Sequence, residues 1–234
     1  MSRSDGVVNG IKRMIIEGEL RSGERLPPEK RMCELLDVSR STLREGLRAL
    51  SSMGILHTRQ GDGTYVTALD VTDLLTPLGF VVDLHREGRA HDVQIVRRLL
   101  ESEAARLAAS CITAESLVEM KDLLNETEQV LETEPVSLDR LVELDIAFHR
   151  IVAVGSGNQV LAGIAEALVS RSVRDQIWHG LREAGVVQRT HQEHKAIWLA
   201  LEARDTEIAR VRMANHLAGE EEALRRLRSA PGAT

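Results

Sequence analysis

Val7, Val8, Ile11, Met14 and Ile15 recur at three- and four-residue intervals, which predicts a helix over residues 5–16 that Gly18 closes. Gly23 and Pro27-Pro28 then mark a loop, with Leu26 packing beneath it. A second helix opens at Pro28 or Glu29 and runs to Leu36, with Met32, Leu35 and Leu36 expected on its buried face. Asp37-Val38 makes a short turn. Ser39 is placed to cap a third helix whose Leu43, Leu47 and Leu50 point inward. Past Gly54 the period shortens from helical to strand-like. Ile55-Leu56-His57-Thr58 and Thr64-Tyr65-Val66-Thr67 are β-favouring runs, and Arg59-Gln60-Gly61-Asp62-Gly63 between them is hairpin chemistry. Three helices followed by a hairpin is the order of a winged helix-turn-helix.

From Val71 onward the pattern is helical with few interruptions, over approximately 71–87, 91–110, 113–133, 137–154, 158–182, 186–203 and 205–228. Gly88, Pro135, Gly155-Ser156-Gly157-Asn158 and Asp205 mark breaks. The economical fold is mainly α: a winged helix-turn-helix with a small β-hairpin wing, then an antiparallel all-helical bundle. The expected organisation is a DNA-binding domain over 1–69, a linker helix over 70–90, a helical effector-binding and dimerisation domain over 91–229, and a disordered tail over 230–234.

Composition narrows the function classes. Hydrophobic residues make up 43% and charged residues 28%, and no apolar run reaches the roughly 18 residues a membrane span needs. The first twenty residues carry charges throughout and lack a signal-peptide core, so a soluble, cytoplasmic protein without membrane contact is expected. Cys33 and Cys111, with no CxxC spacing, read as reduced thiols rather than a disulfide framework. Aromatic residues are only 2%, leaving few platforms on which single strands could stack. The net charge of −6 is uneven: residues 1–69 hold 11 Lys/Arg and 9 Asp/Glu (+2), and the remainder hold 19 and 27 (−8). A mildly basic head on an acidic body fits a nucleic-acid reader joined to something that does not touch DNA.

With Leu43, Leu47 and Leu50 turned inward, Arg40, Ser41, Thr42, Arg44 and Arg48 lie on the outward or flanking positions of the third helix. Arginine can fork to guanine, and short hydroxyls suit phosphates and base edges. A solvated Arg/Ser face is the alternative for that helix by itself. Lys30 near the start of the second helix and Gln60-Gly61 at the hairpin tip extend the same surface. Residues 7–67 resemble the DNA-binding domain of the GntR family of bacterial regulators. The matching words are Gly23-Glu24-Arg25-Leu26-Pro27-Pro28-Glu29, Val38 to Leu50, and Gly61-Asp62-Gly63-Thr64-Tyr65-Val66. Pro28 replaces a usual serine, and Gly46 a usual alanine, which would loosen the helix. The resemblance implies DNA contacts at Lys30, Ser39, Arg40, Ser41, Arg44, Gln60 and Gly61, with Arg40 and Arg44 reading bases.

A second constellation lies in the helical region. Asp145 and His149 are four residues apart, so carboxylate and imidazole share a face. His194 and His216 sit among apolar neighbours on later helices. One carboxylate and three imidazoles suit a first-row divalent ion: zinc first, with nickel or manganese as alternatives. Spacing alone leaves bland readings open: each helical histidine can be an ordinary hydrogen-bonded side chain, and His191 competes with His194 for the same face. His57, His85, His91 and His179 have no partner pattern and read as non-ligands. Residues 91–220 resemble the FCD domain of the FadR subfamily. The resemblance is carried by Arg97-Arg98-Leu99-Leu100-Glu101, Asp145-x3-His149 with Gly155-Ser156-Gly157-Asn158, Glu193-His194-Lys195-Ala196-Ile197 and Asn215-His216-Leu217. It implies the ligand set Asp145, His149, His194 and His216, and small carboxylates as effectors. It also implies an effector-facing role for Arg97. Arg171 and Arg174 are further candidates, with a solvated surface as their other reading.

The expected function is a DNA-binding transcription regulator, a repressor by resemblance. A homodimer reads a palindromic operator in double-stranded DNA, and a small organic acid at the metal shifts its affinity through the linker helix. Two rivals are a sensor whose signal is the metal itself and a metal-dependent hydrolase with a DNA-binding head. Against the hydrolase, His191-Gln192-Glu193-His194 is not HExxH, and no carboxylate is placed as a general base.

Overall fold

In the computed structural model, residues 3–71, 74–75, 86–168 and 186–229 are described. Contacts divide the chain into two units, Met1–Leu74 and Leu75–Thr234.

The first unit contains α1 (Arg3–Ile16), α2 (Glu29–Leu36), α3 (Arg40–Ser52), β1 (Leu56–Arg59) and β2 (Gly63–Val66). Val7 and Ile11 of α1, Met32 of α2, Leu43 and Leu50 of α3, and Leu56 and Val66 of the hairpin close one apolar core with Leu20 and Leu26. Leu35, expected inside, is 47% exposed. With only eight residues, α2 covers the core through Met32, with Leu36 packed partly buried beside it, and Leu35, one turn from Met32, lies at the exposed edge of that face. Asp37 ends α2 in the left-handed region at φ 51°, a conformation its short polar side chain tolerates. Ser39 caps α3, its hydroxyl accepting from the Thr42 backbone N–H at 3.2 Å.

The hairpin is antiparallel, with Leu56 opposite Val66 and Arg59 opposite Gly63. The two buried residues at its base fix it to the core. Residues 23–26, read as loop from the sequence, run alongside as a strand-like edge. Leu26 N–H donates to Thr64 O at 2.8 Å, Val66 N–H to Glu24 O at 2.9 Å, and Gly23 N–H to Val66 O at 3.0 Å.

Gly46 is buried where α3 crosses α1, and a methyl group there would lie 2.6 Å from Val7 Cβ. The glycine therefore permits close approach rather than loosening the helix. Gly46→Ala should destabilise this crossing by about 1–2 kcal/mol, an overpacking cost of about 1–3 kcal/mol partly offset by roughly 1 kcal/mol of helix propensity. Faster amide exchange in α1 and α3, reversed by adding Val7→Ala, is the expected result. Unchanged exchange in the single variant would show that the crossing tolerates a methyl.

The second unit contains α4 (Arg86–Cys111), α5 (Ala114–Leu131), α6 (Leu138–Gly155), α7 (Gln159–Leu168), α8 (Val186–Glu202) and α9 (Thr206–Ser229). Ala104, Ala105, Ala108 and Ala109 make one face of α4 nearly flat, and all four are fully buried. Ala105, Ala108 and Ala109 of that face sit in the same core as Ala209, Met213 and Leu217 of α9, Phe148 and Val152 of α6, and Ile197 and Leu201 of α8. Thr113 and Ser137 cap α5 and α6 through their hydroxyls. Helix α4 continues through Gly88, where a break was expected. One glycine costs a helix only about 1 kcal/mol, little against the packing of a 26-residue element. Most of the expected 71–87 segment and residues 169–182 of the expected 158–182 segment lie outside the described residues, as does the 230–234 tail. Among the described residues, no helix is long and apolar enough to cross a membrane.

Candidate nucleic-acid interface and metal centre

In the first unit, Lys30, Ser39, Arg40, Ser41, Arg44, Arg48, Gln60 and Gly61 are exposed, and Thr42 is half-buried. The wing tip, the start of α2 and one side of α3 border a cleft of about 550 Å³ that includes Glu29, Leu43, Leu47, Gln60 and Gly61. At the α3 N-terminus the Ser39 hydroxyl lies 2.9 Å from both the Ser41 and Thr42 hydroxyls, so three small polar groups cluster beside the free backbone N–H groups. Gly61 has φ +78° at the turn, a conformation that favours glycine.

Sequence reading missed what holds Arg44. Its Nε and Nη2 donate to Glu29 of α2 at 3.1 Å each, a fork that fixes the guanidinium across the groove between α2 and α3. The hydrogen bond from Arg44 keeps the Glu29 carboxyl below its usual range. In the wing, Arg25 bonds the Asp62 carbonyl, and the Tyr65 hydroxyl donates to Asp62 at 2.6 Å. The side chain of Arg59 lies over the Tyr65 ring, 4.7 Å from its centroid.

In the second unit, Asp145 and His149 come from α6, His194 from α8 and His216 from α9. All four are buried, and one donor atom from each lies within 4.8 Å of the other three. The Nε2 atom of His216 is 3.2 Å from that of His194 and 3.3 Å from that of His149. Asp145 Oδ1 is 3.5 Å from His194 Nε2 and 3.7 Å from His149 Nε2. Ligands at roughly 2.0–2.1 Å around a tetrahedral ion are roughly 3.3–3.4 Å apart, close to these edges. The donor set therefore fits a small divalent cation. His191, the competitor for His194, is buried outside this group. Among the described residues neither of its ring nitrogens has a hydrogen-bond partner, and burial holds its imidazole below the ordinary histidine range.

A shell of charge surrounds the four donors. Glu101 of α4 hydrogen-bonds His149 Nδ1. Glu193 Oε2 lies 2.9 Å from His216 Nδ1. Arg97 is fully buried and donates to Glu101 at 2.7 Å, to Gln94 at 2.7 Å and to Glu220 at 3.0 Å. Burial works against its charge, but Glu101 and Glu220 together outweigh burial and hold the guanidinium above its ordinary value. Asp145, Glu101 and Glu220 thus give three buried carboxylates against one buried guanidinium. The remaining two negative charges are what a divalent ion would neutralise, with the imidazoles neutral as ligands. Arg171 and Arg174 lie outside the described residues. Glu101 and Gln94 had a readable signal in their i, i+4 and i, i+3 spacing from Arg97, and Glu220 in its i, i+4 spacing from His216; the approach of Glu220 to Arg97, 123 positions away, had none.

Residues 3–66 match the bacterial regulatory proteins of the gntR family, and residues 92–219 match the FCD domain. The chain is 31% identical over 216 residues to the HTH-type transcriptional regulator LutR of Bacillus subtilis (strain 168), covering 90% of this chain and 96% of that relative. It is 37% identical over 163 residues to the Glc operon transcriptional activator of Escherichia coli (strain K12). That match covers 69% of this chain and 64%, just under two thirds, of the relative. The solved structure of a Streptococcus agalactiae GntR protein superposes with a TM-score of 0.72 at 27% identity, covering 97% of this chain and 100% of that one. These relatives are transcription regulators rather than enzymes. With a winged helix-turn-helix ahead of an FCD helical domain, the chain belongs to the GntR family of bacterial DNA-binding transcription regulators.

Proposed function

We propose that the helical domain holds a divalent metal ion, zinc first, on Asp145, His149, His194 and His216, and that a small carboxylate completing its coordination sets operator affinity. The observation that carries this reading is the convergence of four buried donor atoms from three helices within 4.8 Å. When bound, the ion supplies a Lewis-acidic position that an effector oxygen can occupy. Arg97 adds a donor: among the described residues its Nη2 has no hydrogen-bond acceptor, so a second carboxylate oxygen has a cationic partner available. The chain acts as a homodimer on a palindromic operator, because two equivalent reading heads select two equivalent half-sites. Ligand-relieved repression is the expected direction.

A duplex selected from a random library by the wild-type chain provides the probe. Its affinity is measured by fluorescence anisotropy with chelator, with Zn²⁺ alone, and with Zn²⁺ plus a panel of small hydroxy, sugar and dicarboxylic acids. The expected result is at least tenfold weaker DNA binding with one class of acid, and only in the presence of metal. Tighter binding with acid would make the protein an acid-dependent activator or co-repressed regulator. Indifference to every acid would remove the effector. A metal-only sensor is the second reading, and a specific observation favours it. The pocket that borders His149, one of the four donors, together with Glu101, Ile146 and Arg150, is about 30 Å³, room for roughly two water molecules. Response to Zn²⁺ alone would decide for it.

A further inference from the structure

Three imidazoles meet in this cluster through the same ring atom, Nε2, although each ring has two nitrogens and free rotation in the unfolded chain. A neutral imidazole carries its proton on one nitrogen and offers a lone pair on the other. Which one is free depends on the hydrogen bond the protonated nitrogen makes. His216 Nδ1 faces Glu193 Oε2 at 2.9 Å, and His149 Nδ1 faces Glu101. The His194 ring is oriented differently, stacked on Phe148 with centroids 4.2 Å apart and planes 15° from parallel.

We infer that Glu193 and Glu101 are positioning residues that fix the Nδ1–H tautomers of His216 and His149, turning both Nε2 lone pairs inward before any cation arrives. This inference rests on the proposed metal centre and deepens it. The two carboxylates differ in what anchors them. Glu101 has a side chain only 3% exposed and is itself held by buried Arg97, so its position belongs to the core of α4. Glu193 is 32% exposed and precedes the ligand His194 on α8, yet reaches across to His216 on α9. Its other oxygen, Oε1, lies 3.6 Å from exposed Arg189. Glu193 therefore ties α8 to α9 through a hydrogen bond that does not need the ion. Without it, nothing in this contact would prefer the inward lone pair on His216, and the cation would have to select that tautomer at its own cost.

Because Glu193 is partly exposed and Glu101 is embedded in an ion network, Glu193 is the cleaner test. Glu193→Ala should weaken Zn²⁺ binding roughly 10- to 100-fold in competition with a chromophoric chelator. Glu193→Gln retains an oxygen acceptor and should recover most of that loss. Long-range ¹H–¹⁵N correlation spectra of the metal-free chain supply a readout that a structural role would not move. His216 should be the Nδ1–H tautomer in wild type and in Glu193→Gln, and should shift toward Nε2–H in Glu193→Ala. If wild type binds Zn²⁺ and Glu193→Ala matches its affinity and tautomer, the inference is overturned and the metal centre stands. If wild type binds no Zn²⁺, the metal centre falls and the inference with it.

Discussion

An Arg97→Ala variant should unfold with roughly 3–5 kcal/mol less stability in its helical domain, the cost of stranding a buried charge's partners. Arg97 is fully buried between Glu101, Glu220 and Gln94, on the core face of α4. Removing it leaves two buried carboxylates with Asp145 nearby and no guanidinium to balance them. Trp178 and Trp198 both lie in this unit, so urea unfolding followed by tryptophan fluorescence reports on it specifically. Adding Glu101→Gln and Glu220→Gln should restore much of the loss, since a neutral network no longer demands a counter-charge. Zn²⁺ should also restore more stability to the single variant than to wild type, because its charge on the neighbouring four-donor cluster would partly offset the stranded carboxylates. A loss below about 1 kcal/mol in Arg97→Ala would mean the network is hydrated or protonated, and the charge balance drawn above would be wrong.

The second large effect belongs to DNA. Arg40→Ala with Arg44→Ala should weaken binding to the selected duplex by roughly 30- to 25,000-fold, from about 1–3 kcal/mol for each arginine forked to a base. Binding to unrelated duplex should fall far less, by the amount two lost cations explain. The two arginines should also differ. Arg44 is already braced by Glu29, so its side chain gives up little freedom on entering the groove. Glu29→Gln should therefore cost discrimination among duplexes while leaving non-specific affinity equal or higher, since an acidic group has left a phosphate-facing surface. Equal losses on selected and unrelated duplexes in the double variant would demote both arginines to phosphate contacts.

Much of this architecture was readable because it is local. The stripe of Leu43, Leu47 and Leu50, the Ser39 cap and the alternating hairpin each depend on residues a few positions apart, and all reappear in the structure. Local reasoning failed where the decision lay elsewhere. Leu35 was assigned inward on spacing alone, but an eight-residue helix need not bury every apolar position. Gly46 looked like a weak helix former until Val7 of another helix was placed against it. Residues 23–26 carry a glycine and precede two prolines, which masks an edge strand whose partners lie about forty residues later. The candidate metal centre divides the same way. Asp145 and His149 were legible as one helical face, whereas spacing alone could not choose between His191 and His194. That choice came from resemblance, and His194 is the one whose Nε2 meets His216. The pairing of Arg97 with Glu220 was the least visible, since the two are separated by 123 positions.

The joining of α6, α8 and α9 at one point has a consequence for the protein's lifetime. His149 and His216 are 67 positions apart, and a covalent tie across such a span removes about 4 kcal/mol of freedom from the unfolded chain. The proposed cation between them would act instead by mass action, so its contribution would rise and fall with supply. In a cell short of metal, the transiently opened form would then become more populated and more open to proteases. Scarcity would then be registered as a smaller number of regulator molecules, on a timescale of turnover rather than of ligand exchange.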